Sequence, residues 1–114
     1  MKLVIAIIQE DRLDDVREAL MKKDIGRITV GRVSGHGRQE DTELYRSQKY
    51  VPSLIEKIEV KVAVNDDKVE MVIQTIIDAA RHGAFGKIGD GKIFVLPVEQ
   101  VVRIRTGERG ITAL

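Results

Sequence analysis

The sequence predicts an α+β domain with an antiparallel sheet, and three observations support this class. Four segments are rich in β-branched or alternating apolar residues, and two others carry apolar residues at helical spacing. These segments follow one another in the order strand, helix, strand, strand, helix, strand. The length of 114 residues suits one domain that buries a real core, so a single domain over residues 1–114 is expected.

The first half of the chain predicts two strands around an amphipathic helix. The run Leu3–Ile8 is apolar on both alternating faces, which is typical of a central strand covered on two sides. In "LDDVREALMKK" the apolar residues recur at helical spacing, with Asp11 as the expected cap of the helix start and Gly26 after its end. The β-branched stretch "RITVGRVSG" predicts a second strand that ends at Gly35.

The second half repeats this pattern with a strand, a helix and a strand. Lys57–Val64 alternates between apolar and mostly charged residues, which predicts a strand with one buried face. An apolar stripe after Asn65, the expected capping residue, predicts the second helix. "KIFVLPV" predicts a fourth strand, with Pro97 marking its end or an edge of the sheet. The tail "EQVVRIRTGERG" allows one helical turn and a short strand through Ile104.

This order of elements is the ferredoxin-like βαββαβ arrangement. Such a sheet carries its helices on one face only, so the apolar first strand needs a cover on the other face. We expect a second copy of the chain to supply it, which predicts a homo-oligomer.

The composition of the chain argues against several classes of function. The formal net charge of +1 gives no general attraction to polyanions, so a nucleic-acid partner is not expected. The chain has no cysteine, which excludes disulfides, thiolate metal sites and cysteine nucleophiles. The apolar start "MKLVIAII" is too short for a signal peptide or a membrane span, so a cytoplasmic location is expected.

A polar segment of roughly twenty residues separates the second and third strands, whereas a hairpin normally uses two to five. It reads "GHGRQEDTELYRSQKYVPSLIE" and carries both tyrosines of the chain, Tyr45 and Tyr50. One interpretation is an arm for docking or modification. The other is a solvated loop whose tyrosines fold back on the body.

The stretch "GKIGDGKI", residues 86–93, matches a P-loop except for its final hydroxyl residue, where Ile93 stands. A true P-loop follows a strand and opens a helix, whereas this stretch follows a helix and opens a strand. The P-loop assignment is therefore rejected. An anion-binding nest of backbone amides with Lys87 and Lys92 is the functional interpretation, and an ordinary glycine turn is the alternative.

Candidate polar side chains outside this loop are few. Arg103 and Arg105 in "RIRTG" project to one side if the tail is extended, as a phosphate or carboxylate site or as an ordinary charged strand face. His36 is either a ligand contact or a solvated loop residue. His82 has no evident carboxylate partner and is most simply a cap at a helix end. The sequence holds no serine elbow, so no catalytic residues are assigned.

Several segments together resemble the PII nitrogen-regulatory signal proteins, the GlnB/GlnK family. They are "LDDVREAL", "GRQ", "TELYR", "GDGKIFVLPVE" and "VVRIRTGE". The resemblance implies a homotrimer that binds ATP or ADP in clefts between subunits, with 2-oxoglutarate joining MgATP. It also implies a target-docking T-loop at about 37–55, a phosphate-binding B-loop at about 83–92 and a C-terminal segment at about 98–114.

The resemblance implies the site residues as well. The nucleotide-binding residues would be Ile7, Thr29, Gly35, Gly37, Arg38, Gln39, Gly89, Asp90, Gly91, Lys92, Arg103 and Arg105, the two arginines acting across the subunit boundary. Gln39 would also hold Mg²⁺ and 2-oxoglutarate, and Lys57 would reach a carboxylate of 2-oxoglutarate. Tyr50 and Ser47 would be candidate modification sites.

Two departures from the family pattern bear on these expectations. The usual connection "ARTG" becomes "ARHGAFG", so Ala84 to Gly86 lengthen the approach to the B-loop. The T-loop is one residue short around "QEDT", where Glu40 and Asp41 add negative charge that disfavours a dianion unless Mg²⁺ intervenes.

The sequence leaves three candidate functions for this chain. The leading one is a non-catalytic sensor acting on an ammonium transporter or on nitrogen-assimilation enzymes and regulators, with a membrane reached only indirectly through the transporter. The alternative is a phosphate-processing enzyme with weak ATPase activity. An RNA-binding module is disfavoured because Phe94 is the only aromatic residue in a predicted strand.

Overall fold

The structure is a computed structural model, and it describes residues 1–36 and 53–114. The described strands are β1 (Lys2–Ile8), β2 (Thr29–Gly35), β3 (Ile55–Val64) and β4 (Gly91–Pro97). The described α-helices are α1 (Leu13–Met21) and α2 (Val69–Ala80). Short 3₁₀ turns lie at Glu10–Arg12, Asp66–Lys68 and Ile111–Ala113.

The strands form one antiparallel sheet in the order β2-β3-β1-β4. The two inner strands are therefore β3 and β1, and β2 and β4 are the edges within the described part of the chain. Each half of the chain contributes one inner strand, one edge strand and the helix that connects them in sequence. This arrangement confirms the predicted α+β, ferredoxin-like fold.

The core lies between one face of the sheet and the two helices. In β3 the predicted alternation is confirmed, because Ile58, Val60, Val62 and Val64 are all buried. Across from them β1 contributes Val4, Ala6 and Ile8, and the helices contribute Val16, Leu20, Val72 and Ile76. Burying these aliphatic side chains is the main term that holds the fold together. Neither helix in the described ranges is long and apolar enough to span a bilayer.

The opposite face of the sheet, which we call the open face, is lined by the other residues of each strand. In β1 these are Leu3, Ile5 and Ile7, which are only partly buried. Phe94 pairs with Ile5 in the register of β1 and β4 and remains 48% exposed. Within one chain β1 is thus covered by helices on one side only.

Both helices begin differently from the prediction. Each follows a 3₁₀ turn, and neither Asp11 nor Asn65 makes a side-chain capping hydrogen bond. The predicted cap at Asp11 is therefore wrong, whereas Asn65 occupies the N-cap position of the 3₁₀ turn before α2 without a side-chain capping hydrogen bond. At the first helix the reason is a competing contact, because the Asp11 carboxylate lies against the His82 ring instead.

The C-terminal segment, residues 98–114, also differs from the prediction. The expected helical turn and strand through Ile104 are replaced by a tight reversal, in which a single bridge joins Val102 to Arg109. The amide of Gly107, at a φ of 72°, donates to the Arg103 carbonyl at 2.8 Å. A glycine in the left-handed conformation lets the chain reverse direction here. The backbone polar groups of the segment are then satisfied within the turn, so the segment does not need to pair with another strand.

Candidate functional site

The connection between α2 and β4, residues 83–90, is called the glycine loop below, and distant side chains hold it in place. The carbonyl oxygen of Gly89 accepts hydrogen bonds from Gln9 Nε2 and from Lys57 Nζ, each at 2.7 Å. Gln9 follows the end of β1, and Lys57 lies near the start of β3. The loop is therefore pinned over one end of the sheet.

Lys57 is a cation in a partly buried position. Burial lowers the pKa of the Lys57 ammonium, and the negative charge of Asp90 opposes that shift. Partial desolvation makes a cation interact more strongly with an anion that replaces its lost water. The ammonium is thus suited to a carboxylate or phosphate, although its present partner is the Gly89 carbonyl.

Asp90 occupies the interior of its own loop. Its Oδ2 accepts hydrogen bonds from the amides of Lys87 at 2.8 Å and His82 at 3.2 Å. Burial acts to raise the pKa of the Asp90 carboxyl, but these amides and the His82 ring outweigh it and lower the pKa overall. One amide of the glycine loop and the amide of the residue before it therefore bind the protein's own carboxylate, which holds the loop in shape.

His82 lies between two carboxylates. Its Nδ1 is 2.6 Å from Asp90 Oδ1, and its Nε2 is 3.0 Å from Asp11 Oδ2. The expectation that His82 lacks an evident carboxylate partner is wrong, because Asp90 and Asp11 both contact its ring, the second from 71 residues away in sequence. The interpretation of His82 as a helix cap is wrong for the same reason: the ring is engaged elsewhere, and the capping position of α2 belongs to Arg81.

Gly91 joins the glycine loop to β4 at a point where only glycine fits. A Cβ placed there would lie 1.7 Å from the carbonyl oxygen of Ile7, and the φ of 117° is unfavourable for other residues. This close approach sets the first residue of β4 against the end of β1. The next residue, Lys92, pairs with Ile7 in the strand register and shares the open face with it.

The remaining strand residues expected at the site lie on the open face as well. Thr29 pairs with Lys61 near one end of β2, and Gly35 pairs with Ile55 at the other end. The length of β2 separates these two positions by about 20 Å. The structure thus places Ile7, Lys92 and Gly35 toward the glycine-loop end of the face, and Thr29 toward the far end.

The two arginines of the C-terminal segment do not form the extended pair that was expected. Arg103 forms an ion pair with Glu108 at 3.0 Å and donates to the Thr112 carbonyl, whereas Arg105 lies in the turn. The end of this segment lines a shallow cavity with Leu3 and Thr29, at the end of the sheet remote from the glycine loop. Because residues 104–106 form a turn, the extended backbone on which the shared direction of the two arginines depended is absent.

Several expected residues fall outside the described ranges. These are the nucleotide and effector residues Gly37, Arg38 and Gln39 and the modification candidates Ser47 and Tyr50. The T-loop assigned to about 37–55 falls there for the most part.

Sequence reasoning missed two contributors to the site. Gln9 anchors the Gly89 carbonyl, and its only signal in the sequence was its position directly after a buried strand. The carboxylates around His82 come from residues 11 and 90, and no local spacing relates them. Both contacts exist because the chain returns to the same end of the sheet.

No group of three or more histidine, cysteine, aspartate or glutamate residues with metal-binding geometry occurs in residues 1–36 and 53–114. The class that these features define is a ferredoxin-like domain with a lysine-bearing glycine loop that Gln9 and Lys57 pin over one end of the sheet.

Comparison with known proteins identifies the family within that class. The family model "Nitrogen regulatory protein P-II" matches residues 1–108, so the chain belongs to the PII family. It is 48% identical to nitrogen regulatory protein GlnK1 of Methanosarcina mazei, covering 100% of this chain and 97% of that protein. It is 50% identical to nitrogen regulatory protein P-II of Azospirillum brasilense, covering 100% of both.

A solved structure has the same fold. The crystal structure of Arabidopsis thaliana PII bound to citrate matches with a TM-score of 0.79 and 42% sequence identity. The match covers 98% of this chain and 87% of that one. The named relatives are regulatory proteins, which agrees with a signalling role and with the expectation of a non-enzyme.

Proposed function

We propose that this chain senses nitrogen, carbon and energy status by binding ATP or ADP and, with Mg²⁺, 2-oxoglutarate. In this proposal residues 1–114 form one PII-like domain, which works in the cytoplasm as a homotrimer. Residues of about 37–55, the T-loop, then dock on an ammonium transporter or on enzymes and regulators of nitrogen assimilation. Ligands act by stabilising one T-loop conformation over others.

One observation carries the proposal. The glycine loop is pinned by Gln9 and Lys57, and its amides already hold the carboxylate of Asp90. A loop held in this way, with Lys92 beside it on the open face, supports a phosphate site that costs little reorganisation on binding. The B-loop of about 83–92 is proposed to be this loop, with Gly89, Asp90, Gly91 and Lys92 as its binding residues.

Two features of one subunit support the proposed trimer. The open face leaves Phe94 and Leu96 almost half exposed, and a second subunit would bury them. In addition, the segment carrying Arg103 and Arg105 ends beside Leu3 and Thr29, about 17 Å along β1 from the glycine loop. The arginines would therefore reach a nucleotide held at a neighbouring subunit's loop more readily than one held at their own.

The effector sites are proposed in the same cleft. Ile7, Thr29 and Gly35 would line the adenine side, and Gly37, Arg38 and Gln39 would lead from the nucleotide into the T-loop. Gln39 would hold Mg²⁺ and 2-oxoglutarate, and Lys57 would exchange its Gly89 carbonyl partner for a carboxylate of that ligand. The citrate bound by the Arabidopsis relative supports a preference for small polycarboxylates. Tyr50 and Ser47 are proposed modification sites.

The alternative of a phosphate-processing enzyme gains no support from the described residues. His82 is the described histidine nearest the glycine loop's carboxylate, and both of its ring nitrogens face carboxylate oxygens. Neither nitrogen is placed to act as a general base toward a bound phosphate. Rapid ATP hydrolysis that Lys92→Ala abolishes would restore this alternative.

Calorimetric titration tests the proposal. ATP and ADP should bind, and 2-oxoglutarate should bind only when MgATP is present. Lys92→Ala should weaken nucleotide binding by about tenfold or more, since it removes a charge-assisted contact. Lys22→Ala, at the exposed end of α1, is the matched control and should leave binding unchanged.

Light scattering supplies the accompanying measurement of mass. Wild type should be a trimer, and Phe94→Arg on the open face should dissociate it. Absence of nucleotide binding by an intact trimer would refute the sensor proposal, and a monomeric wild type would refute the intersubunit site.

A further inference from the structure

We propose that His82 is a proton-dependent positioning residue that ties the glycine loop to the start of α1 when its imidazole is charged and releases that tie when it is neutral. The proposal concerns a contact between residues 11, 82 and 90, which come from three separate parts of the chain. For its effect on ligands it rests on the nucleotide site proposed above.

The geometry favours a charged imidazole. His82 Nδ1 lies 2.6 Å from one carboxylate oxygen and Nε2 lies 3.0 Å from another. A neutral imidazole carries one N–H, so it can donate to one carboxylate only, and its other nitrogen would then face an oxygen lone pair to lone pair. Only the imidazolium donates to both residues at once.

The two carboxylates differ in how firmly each is held. Asp90 is 20% exposed and also accepts from the amides of Lys87 and His82, whereas Asp11 is 68% exposed. When the imidazole loses its proton, the Nδ1–H tautomer keeps the short bond to Asp90. The link to Asp11 is therefore the one that opens, and it is the link between the loop and α1.

Charged groups from several elements of the fold surround His82. From the 3₁₀ turn before α1 come Glu10, Asp11 and Arg12, and from the glycine loop come Lys87 and Asp90. Glu56 of β3 lines the same cleft, but it and Glu10 are both paired with Arg32 of β2. Arg81 precedes His82 in sequence, and its side-chain carbons pack beside Gly86.

The balance of these groups favours the charged form. Hydrogen bonds to Asp11 and then to Asp90 raise the pKa of the His82 imidazole above its ordinary value, against the opposing effects of burial and of Arg12. The hydrogen bond to His82 likewise lowers the pKa of Asp11. A raised imidazole pKa places the release on the alkaline side of about 6.5.

Release has two consequences for an anion at the glycine loop, and they act in the same direction. The cluster of Asp11, His82 and Asp90 changes from one net negative charge to two as the imidazole loses its proton. The loop also loses its attachment to α1, which leaves it less ordered before binding. Both effects weaken the binding of a phosphate as pH rises.

The first experiment follows the imidazole itself and needs no nucleotide. The chain has two histidines, so ¹⁵N-labelled imidazole spectra of the full protein contain two sets of signals, which His82→Gln assigns. We expect the titration midpoint of His82 to fall toward about 6.5 in Asp11→Asn. Asp14→Asn, the matched control on α1, pairs with Arg17 and should leave the midpoint unchanged.

The second experiment follows ADP affinity by calorimetry from about pH 6 to about pH 8.5. His82→Gln has no proton to lose in this range, so wild type should resemble it when its own imidazole is neutral. We expect the dissociation constant of His82→Gln to exceed that of wild type about fivefold at the acidic end. The ratio should fall to about one at the alkaline end, and the pH dependence of ADP ionisation cancels in it.

Three outcomes would overturn the proposal. The His82 midpoint could be the same in wild type and Asp11→Asn; the affinity ratio could stay constant across the pH range; or Asp14→Asn could reproduce the effects of Asp11→Asn. A protein that binds no ADP at any pH refutes the proposed nucleotide function instead, and the imidazole titration then still decides whether the tie exists.

Discussion

The glycine loop and the C-terminal segment both carry cations expected at a phosphate, yet they are held in different ways. Side chains from β3, from the end of β1 and from the end of α2 hold the loop, and its central carboxylate is mostly buried. The arginine segment is braced by its own backbone and by the partly exposed pair of Arg103 and Glu108. Changes at the anchored residues of the loop should therefore alter stability and binding together, whereas changes in the segment should alter binding alone.

The largest expected effect is at the junction of the glycine loop and β4. Gly91→Ala should lower the free energy of unfolding by about 4 kcal/mol, because the new Cβ collides with the Ile7 carbonyl and the φ is unfavourable. Urea denaturation measures the change. Gly31→Ala is the matched control, since no atom lies within 4 Å of its added Cβ, and a comparable loss there would contradict the assignment.

A smaller loss is expected from the buried carboxylate of the loop. Asp90→Asn removes the charge that accepts from two amides and from His82, and it should cost about 2 kcal/mol of unfolding free energy. Asp78→Asn on α2 changes the same group where its partner is the exposed Gln74, and it should cost less than about 0.5 kcal/mol. Equal losses would mean that the loop is no better anchored than the surface.

The same cluster predicts a pH dependence of stability in the unliganded protein. The pKa of His82 is raised in the folded state, so its contribution is fully present below the unfolded value of about 6.5 and is lost as pH rises through the folded pKa. The pKa of Asp90 is lowered, so its contribution is lost as pH falls through the folded value. Thermal unfolding of wild type minus that of His82→Gln should show the alkaline decline; a flat difference would count against it.

At the C-terminal segment, Arg103→Ala should change the unfolding free energy by less than about 1 kcal/mol, because the ion pair with Glu108 stays partly exposed to solvent. The same variant should weaken ATP binding by about tenfold if the guanidinium contacts phosphate. Glu108→Gln breaks the same ion pair but keeps the cation, so it is the matched control. A weakened affinity in Glu108→Gln would assign the effect to the segment's shape instead.

The smallest effect is expected from the extra residues of the glycine loop. The Phe85 side chain is fully exposed, so Phe85→Ser should change the unfolding free energy by less than about 0.5 kcal/mol. Deleting Ala84 to Gly86 and measuring ATP affinity then decides whether the longer connection matters for phosphate. An unchanged affinity would make it a neutral extension of the loop.

Much of the fold was predictable from local patterns. The alternation in β3 and the stripe of α2 depend on the periods of strands and helices, which are properties of neighbouring residues. The helix starts and the C-terminal reversal were not predictable in the same way. Asp11 had a suitable sequence position for a cap, but its carboxylate found a partner 71 residues away, and such competition leaves no local pattern.

In the candidate site, too, some features were predictable from local sequence and others depend on long-range contacts. Glycines, lysines and their spacing marked residues 86–92 as an anion-binding stretch, because backbone freedom and charge are properties of the residues themselves. The sequence by itself thus determined the order of elements, the buried face and the place of the loop. Only the tertiary structure decided what anchors that loop, because Gln9, Lys57 and the pair of carboxylates around His82 meet through strand pairing across the sheet.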